Sequence, residues 1–159
     1  MVFSLPNVKS TYQSNQPNMP KSFPGQHQNE QPGSQQQMNP KPVTDDPNYK
    51  GSNKLKDLVA VITGGDSGIG QAAALAFAKE GANIVIAYYS ENEDANDTVN
   101  MVQSVGRKCI AVKCDLKKEE SAKQVIDTAM NELGKIDVLV NNIAVQYPQN
   151  SILDITSEI

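Results

Sequence analysis

Four short apolar runs follow one another along the chain after residue 57, and each ends at a turn or a polar residue. Their length and their content of Val, Ile and Ala are typical of strands that are covered on both faces. The pattern predicts strands at Leu58–Ile62, Asn83–Tyr89, Cys109–Val112 and Ile136–Val140.

Between these runs, apolar residues recur at the three- and four-residue spacing of amphipathic helices. The predicted apolar faces are Ile69, Ala72, Ala73, Ala76 and Phe77 in the first helix, Val99, Val102 and Val105 in the second, and Ala122, Val125, Ile126, Ala129, Met130 and Leu133 in the third. Ser90 has the sequence context of a capping-box N-cap for the second helix. A fourth helix is expected to begin at Asp154 or Thr156.

Strands and helices therefore alternate as βαβαβαβ, followed by the start of a fourth helix. Such alternation is typical of a parallel sheet with helices on both faces, because each strand needs a crossover connection to return in the same direction. We predict an α/β fold with a three-layer, doubly wound parallel sheet that is truncated after the fourth strand. That fourth strand would then lie at an edge of the sheet with apolar side chains on both faces.

Composition divides the chain into two parts. Eight of the nine prolines and eight glutamines precede Gly51, where apolar residues are sparse and show no periodicity. Such a segment buries too little apolar surface to offset the entropy of ordering. We predict a disordered or extended Gln/Pro-rich arm over residues 1–50, which could contact a neighbouring subunit through Tyr49, and an incomplete domain over residues 51–159.

Charge and composition also restrict the function. The net charge is −4 and no basic stripe is present, which argues against a nucleic-acid partner. No apolar run has the length of a membrane span, so we expect a soluble cytoplasmic protein without a membrane partner. Cys109 and Cys114 are expected on opposite faces of one strand as small buried side chains. Because His27 is the only histidine and lies in the arm, a metal site or a His-based triad is not expected.

The segment Thr63–Gly70, TGGDSGIG, lies between the first predicted strand and the first helix. Glycines allow a tight turn and the close approach of a phosphate, and a helix N-terminus presents aligned N–H groups to it. A glycine-rich turn without a ligand is the alternative. The strand before the segment and the amphipathic helix after it favour a dinucleotide-binding site.

Three motifs in order resemble the short-chain dehydrogenase/reductase family. TGGDSGIG resembles its TGxxxGxG motif, Asp115-Leu116 its acidic-hydrophobic pair, and Asn141-Asn142-Ile143-Ala144 its NNAG motif. The resemblance covers residues 55–159. DPNYKGSNKL, GDSGIG and EDAND are similar to the bacterial general-stress-type branch of that family. The resemblance implies a Rossmann-type fold and the N-terminal, NAD(P)-binding part of an oxidoreductase.

Individual roles follow from the resemblance. It implies that Gly64, Gly68 and Gly70 shape the turn, and that Asp66, Ser67 and Ile69 line the pyrophosphate and ribose. Asp115 would accept a hydrogen bond from the adenine, with Leu116 packed beside it. Asn141 and Asn142 would lie near the ribose and tie the sheet together. From its position alone, Asp115 could equally be a strand-end or capping aspartate.

The sequence departs from the family pattern at two places. Ile143 and Ala144 put bulk where the family keeps small residues beside the cofactor. The acid that selects NAD would end the second strand, but Tyr88 and Tyr89 stand there, with no Arg or Lys to hold a 2′-phosphate. The choice between NAD and NADP therefore stays open.

The family reaction is hydride transfer between a nicotinamide and an alcohol or carbonyl substrate, with a Tyr-x-x-x-Lys pair as proton donor. That pair does not occur in this sequence, so no catalytic residue is assigned. The chain as written is expected to be inactive alone, and full-length relatives are expected to be homo-oligomers. A non-catalytic remnant or nucleotide-binding module is the alternative, and a sugar-nucleotide epimerase is favoured less.

Overall fold

The computed structural model describes residues 25–29, 32–144 and 151–154. The strands of the described residues are β1 (Val59–Thr63), β2 (Asn83–Tyr88), β3 (Cys109–Lys113) and β4 (Val138–Val140). The α-helices are α1 (Gly68–Lys79), α2 (Asn92–Ser104) and α3 (Glu119–Leu133), and single 3-10 turns form at Gln35–Gln37 and Ile152–Asp154.

All four strands form one parallel sheet in the order β3-β2-β1-β4. Val61 of β1 is paired with Val85 of β2 on one side and with Leu139 of β4 on the other. The prediction of a doubly wound parallel sheet is therefore confirmed, and β4 lies at an edge of the sheet in the described part of the chain. β4 is shorter than predicted, because its pairing with β1 begins only at Val138.

Side chains on the two faces of the sheet pack into two separate cores, which gives the three layers. One core lies under α1 and α2 and includes Ile62, Ile84, Ala74 and Val102. The other lies under α3 and consists of the buried residues Val61, Val85, Ala87, Val112, Val125 and Ala129. Alternate residues of β1 and β2 thus point to opposite helical layers, as the period of a strand requires.

The predicted apolar face of α1 is largely wrong, since of its five residues only Ala73 and Phe77 pack against the core, and both are half-buried. The buried side of this helix is formed by Gly70, Gln71, Ala74, Leu75 and Ala78. Ile69 is instead 81% exposed. Alanine occurs around the whole circumference of α1, so spacing alone could not fix its orientation. The short, tight loop from β1 decides which side of the helix meets the sheet.

The predicted capping box of α2 is also wrong. The helix begins at Asn92 with Glu91 as its N-cap residue. Ser90 donates to the Glu91 carboxylate from its backbone N–H at 3.2 Å and from its hydroxyl at 2.5 Å. The hydroxyl is therefore engaged with its neighbour and not with the third residue of a helical turn. At the predicted fourth helix, only the 3-10 turn Ile152–Asp154 is described, and Thr156 lies outside the described residues.

The cysteines lie on opposite faces of the sheet, as predicted. Cys109 belongs to the core under α1 and α2, and Cys114 packs against the core under α3. Both are free thiols, and burial raises the pKa of Cys109 to about 12. Cys109 is thus a small apolar side chain at neutral pH.

The described part of residues 1–50 runs along α1 and α2 of the same chain. Gln35 contacts the start of both helices, and Lys79 near the end of α1 forms an ion pair with Asp45. The Tyr49 hydroxyl donates to Glu80. Tyr49 therefore has a partner within its own chain. The boundary between an arm over 1–50 and a domain over 51–159 stays a prediction.

None of the helices in the described residues is both long and apolar enough to span a membrane.

Candidate functional site

The glycine-rich loop connects β1 to α1 at the carboxyl end of the sheet. The N–H of Gly64 donates to the carbonyl oxygen of Ala87 at the end of β2, at 2.8 Å. Gly64 has a φ of 62°, a conformation that favours glycine. A Cβ on Gly70 would lie 1.9 Å from the Gly64 carbonyl oxygen. The first turn of α1 therefore lies directly against the loop, and only glycine fits at residue 70.

Asp66 and Ser67 form the middle of this loop. Asp66 is 6% exposed. Burial raises the pKa of Asp66, and the nearby carboxylates of Glu91 and Asp94 raise it further against hydrogen bonds from its own backbone and from Ser67. Its carbonyl oxygen accepts from Thr98 Oγ1 at 2.8 Å and from Gln71 Nε2 at 3.3 Å. The loop is thus fixed at the Asp66 carbonyl oxygen by Thr98 of α2 and Gln71 of α1.

The first turn of α1 presents N–H groups that have no partner four residues earlier. The helix begins at Gly68, which has a φ of 51°, and Ile69 projects into solvent. The Gly68 N–H donates to the side-chain oxygen of Gln35 at 2.8 Å. In helix geometry, the N–H groups of Ile69 and Gly70 are then the ones available to a phosphate. These residues fit the phosphate group of a dinucleotide.

Asn142 joins the end of β4 to the glycine-rich loop. Its side-chain nitrogen donates to the carbonyl oxygens of Thr63 at 3.1 Å and Gly64 at 3.0 Å. The Thr63 hydroxyl in turn accepts from the N–H groups of Asn142 at 3.0 Å and Ile143 at 3.1 Å. Asn142 therefore ties β4 to β1, as the resemblance implied. Asn141 and Ile143 are exposed beside it.

Asp115 and Leu116 follow β3 at the same edge of the sheet. The N–H of Cys114 donates to the Tyr88 carbonyl oxygen at 2.8 Å, so the hydrogen bonding between β2 and β3 extends to the last residue before Asp115. The Asp115 carboxylate accepts from the Lys117 N–H at 3.1 Å. This contact is the strand-end role that position alone also allowed. Leu116 packs against the core under α3.

The end of β2 carries the two tyrosines at the place of the selecting acid. The Tyr88 hydroxyl donates to Asn92 Oδ1 at 3.1 Å, so the end of this side chain lies beside the first residue of α2. Tyr89 is 48% exposed. The negative charges that face the loop here are Glu91 and Asp94, and both come from the start of α2.

The structure therefore brings all ten sequence-predicted site residues to the carboxyl ends of three strands, β1, β3 and β4. These residues are Gly64, Asp66, Ser67, Gly68, Ile69, Gly70, Asp115, Leu116, Asn141 and Asn142. Sequence reasoning missed Gln35, which contacts this loop from 33 residues away. It also missed Gln71 and Thr98, because buried polar partners leave no periodic signal.

Residues 58–158 match the sequence profile of the short chain dehydrogenase family. The chain belongs to the short chain dehydrogenase family. The predicted family and Rossmann-type fold are thereby confirmed, and so is the similarity to the general-stress-type branch. General stress protein 39 of Bacillus subtilis (strain 168) is 50% identical over 141 residues, which are 89% of this chain and 49% of that protein.

Two further proteins to which the chain is similar differ in the cofactor with which they are described. The NADPH-dependent aldehyde reductase 1, chloroplastic, of Arabidopsis thaliana is 42% identical over 136 residues, 82% of this chain and 47% of that protein. The crystal structure of a short chain dehydrogenase from Mycobacterium paratuberculosis bound to NAD aligns with a TM-score of 0.60 and 32% identity. That alignment covers 66% of this chain and 43% of the other. The chain spans about half the length of the curated relatives it matches.

Proposed function

We propose that this chain is the cofactor-binding part of an NAD(P)-dependent short-chain oxidoreductase. The observation that carries the proposal is the glycine-rich loop between β1 and α1. It combines a positive φ at Gly64 with a close helix approach that only Gly70 permits. Such a loop at a helix N-terminus suits a pyrophosphate. NAD and NADP both remain possible cofactors, as the names of the relatives support.

In this proposal each predicted residue keeps the role that the family resemblance implied. Gly64, Gly68 and Gly70 shape the turn, while Asp66, Ser67 and Ile69 line the pyrophosphate and ribose. Asp115 and Leu116 hold the adenine, and Asn141 and Asn142 lie near the ribose. When bound, the cofactor would supply the hydride, and the chain's own residues would bind and orient its adenosine diphosphate half.

We further propose that this chain alone does not turn over substrate. General acid/base transfer needs a positioned proton donor, and the sequence contains no Tyr-x-x-x-Lys. A small alcohol or carbonyl substrate, homo-oligomerisation and a cytoplasmic location stay predictions for the full-length protein.

The binding proposal is tested by calorimetry with ADP-ribose. Gly68→Val forces a β-branched side chain into a positive φ at the phosphate site and should abolish binding. Gly106→Val is a matched control, because Gly106 also has a positive φ and open space around its Cβ but lies beyond the end of α2. Equal affinity for Gly68→Val and the parent would refute the assignment.

The proposal of inactivity is tested by hydride transfer with NAD(H) and NADP(H) over a panel of carbonyl compounds. The purified chain should give the background rate with each. Cofactor-dependent reduction of any carbonyl would show that a proton donor has been overlooked. ADP-ribose binding without turnover is the expected pair of results.

A further inference from the structure

Gln35 of the N-terminal segment contacts the proposed phosphate-binding loop at two points. Its side-chain oxygen accepts the Gly68 N–H at 2.8 Å, and its side-chain nitrogen donates to Gln71 Oε1 at 2.9 Å. Gln71 in turn donates to the Asp66 carbonyl oxygen. One carboxamide thus holds both ends of the Asp66–Gly68 segment, directly at Gly68 and through Gln71 at Asp66.

The contact supplies what the local sequence does not. Ser67 is the N-cap residue of α1, yet its side chain makes no capping hydrogen bond within the described part of the chain. Ser, Thr, Asp and Asn at an N-cap ordinarily satisfy one of the first N–H groups of a helix. Here Gln35 caps the helix from a distant segment, so the orientation of the Gly68 peptide depends on that segment.

A third hydrogen bond fixes the backbone of Gln35 itself. Its N–H donates to Asp94 Oδ2 at 2.8 Å, and Asp94 is 1% exposed. The other carboxylate oxygen of Asp94 is buried and has no hydrogen-bond partner among the described residues. Because a buried carboxylate without donors is costly, the Gln35 N–H is a strong anchor for the segment.

Within the described structure, the N–H groups in the first turn of α1 fall into two sets, one bonded to Gln35 and the others free to meet a ligand, and this indicates what the Gln35 contact does. Gln35 occupies the Gly68 N–H, and the two N–H groups that follow belong to Ile69 and Gly70. Ile69 is exposed, and the lack of a side chain on Gly70 keeps the loop close. A phosphate approaching from solvent would therefore meet the Ile69 and Gly70 N–H groups on a turn that Gln35 holds in place.

We propose that Gln35 is a positioning residue for the cofactor's pyrophosphate, which makes the N-terminal segment a working part of the nucleotide site. This inference rests on the proposed function. Gln35 does not touch the cofactor in this proposal. It fixes the Gly68 peptide, and through Gln71 the Asp66 carbonyl, in the conformation that accepts phosphate.

The test compares Gln35→Met with Gln36→Met in the full 159-residue chain. Methionine keeps the length of the side chain and the backbone bond to Asp94, but it cannot make the side-chain hydrogen bonds to Gly68 and Gln71. Gln36 is the control because it lies in the same 3-10 turn, and its side chain bonds to the exposed residues Asp97 and Lys41 and not to the loop. Binding of ADP-ribose and of adenosine is measured by calorimetry, and exchange of the Gly68 amide is measured by NMR.

We expect Gln35→Met, which loses two side-chain hydrogen bonds next to the loop, to weaken ADP-ribose binding about five- to tenfold and to leave adenosine binding within about twofold. Its Gly68 amide should exchange about tenfold faster. Gln36→Met should match the parent in all three measurements.

Each other result has a definite meaning. Unchanged ADP-ribose affinity in Gln35→Met, or an equal loss for adenosine, would overturn the positioning role while leaving the proposed function intact. If the parent bound no ADP-ribose, the proposed function would fall. The positioning role would fall with it, whereas a loss of affinity confined to Gln35→Met supports both.

Discussion

The central strand β1 and the edge strand β4 have similar sequences but different surroundings. All five residues of β1 are buried, whereas the three residues of β4 are half-buried or exposed. Leu139 of β4 is 53% exposed, and its partner across the pair, Val61, is 1% exposed. β1 has neighbours on both sides and helices on both faces, so burial here follows from position in the sheet and not from apolar content.

The two sides of the sheet also differ in how the chain reinforces them. On the side of α1 and α2, the N-terminal segment adds Gln35 at the start of the helices and Tyr49, which donates to the Glu80 carboxylate at the end of α1. On the β4 side, the described contacts are those of Asn142 and of Asp137, which accepts the Val59 N–H at 2.8 Å. The side of α1 and α2 is thus reinforced by a segment outside the sheet, while β4 has its ladder with β1 and side-chain contacts at its two ends.

The largest expected effect comes from truncating one apolar residue in each strand. Ile62→Ala removes a fully buried side chain from the core under α1 and α2, and it should lower the free energy of unfolding by about 2–5 kcal/mol. Leu139→Ala at the edge should change it by no more than about 0.5 kcal/mol. Urea titrations of both variants and the parent give the comparison. A cost at Leu139 as large as at Ile62 would show that β4 is covered in solution.

The second prediction concerns the brace at the end of α1. Glu80 accepts from Tyr49, from the Ser52 and Lys54 N–H groups and from the Ser52 hydroxyl, and the Tyr49 bond is the chief reason why its pKa falls from 4.5 to about 2. Since the folded pKa lies below the unfolded one, the stabilisation is present above about pH 4.5 and is lost as the pH falls towards 2.

Glu80→Gln should therefore lower the melting temperature at pH 7 and flatten its fall between pH 5 and pH 3. Asp127→Asn serves as a control, because its exposed ion pair with Lys123 contributes little. Melting curves for the three proteins across that pH range suffice. Parallel pH profiles for the parent and Glu80→Gln would contradict the prediction.

The third and smallest effect is on association at the β4 edge. Leu139→Lys places a charge at an exposed position of a strand that pairs only with β1 among the described residues, which should reduce self-association with little change in stability. Val138 would be a poorer choice, because it packs against the core under α1 and α2. Met130→Lys, at an exposed position of α3, is the control for added charge. If light scattering gave the same particle mass for the parent and Leu139→Lys, β4 would not be the surface through which the chain associates.

Much of the site was predictable because its chemistry is local in sequence. The turn from β1 into α1 needs glycine where φ is positive and where the helix meets the loop, so Gly64 and Gly70 appear as a motif. The contact of Asn142 with the loop was implied by the resemblance of Asn141-Asn142-Ile143-Ala144 to the NNAG motif. The roles of all ten predicted residues in cofactor binding stay predictions.

By itself, the sequence determined the order of the strands and helices, the parallel sheet and the family. These depend on the spacing of apolar residues along the chain and on short motifs, and both can be recognised without knowing which residues are close in space. Only the tertiary structure decided the orientation of α1, since an alanine-rich helix offers no single apolar face. It alone placed Gln35 on the Gly68 N–H, because a hydrogen bond across 33 residues depends on where two segments meet in space and leaves no pattern in the chain.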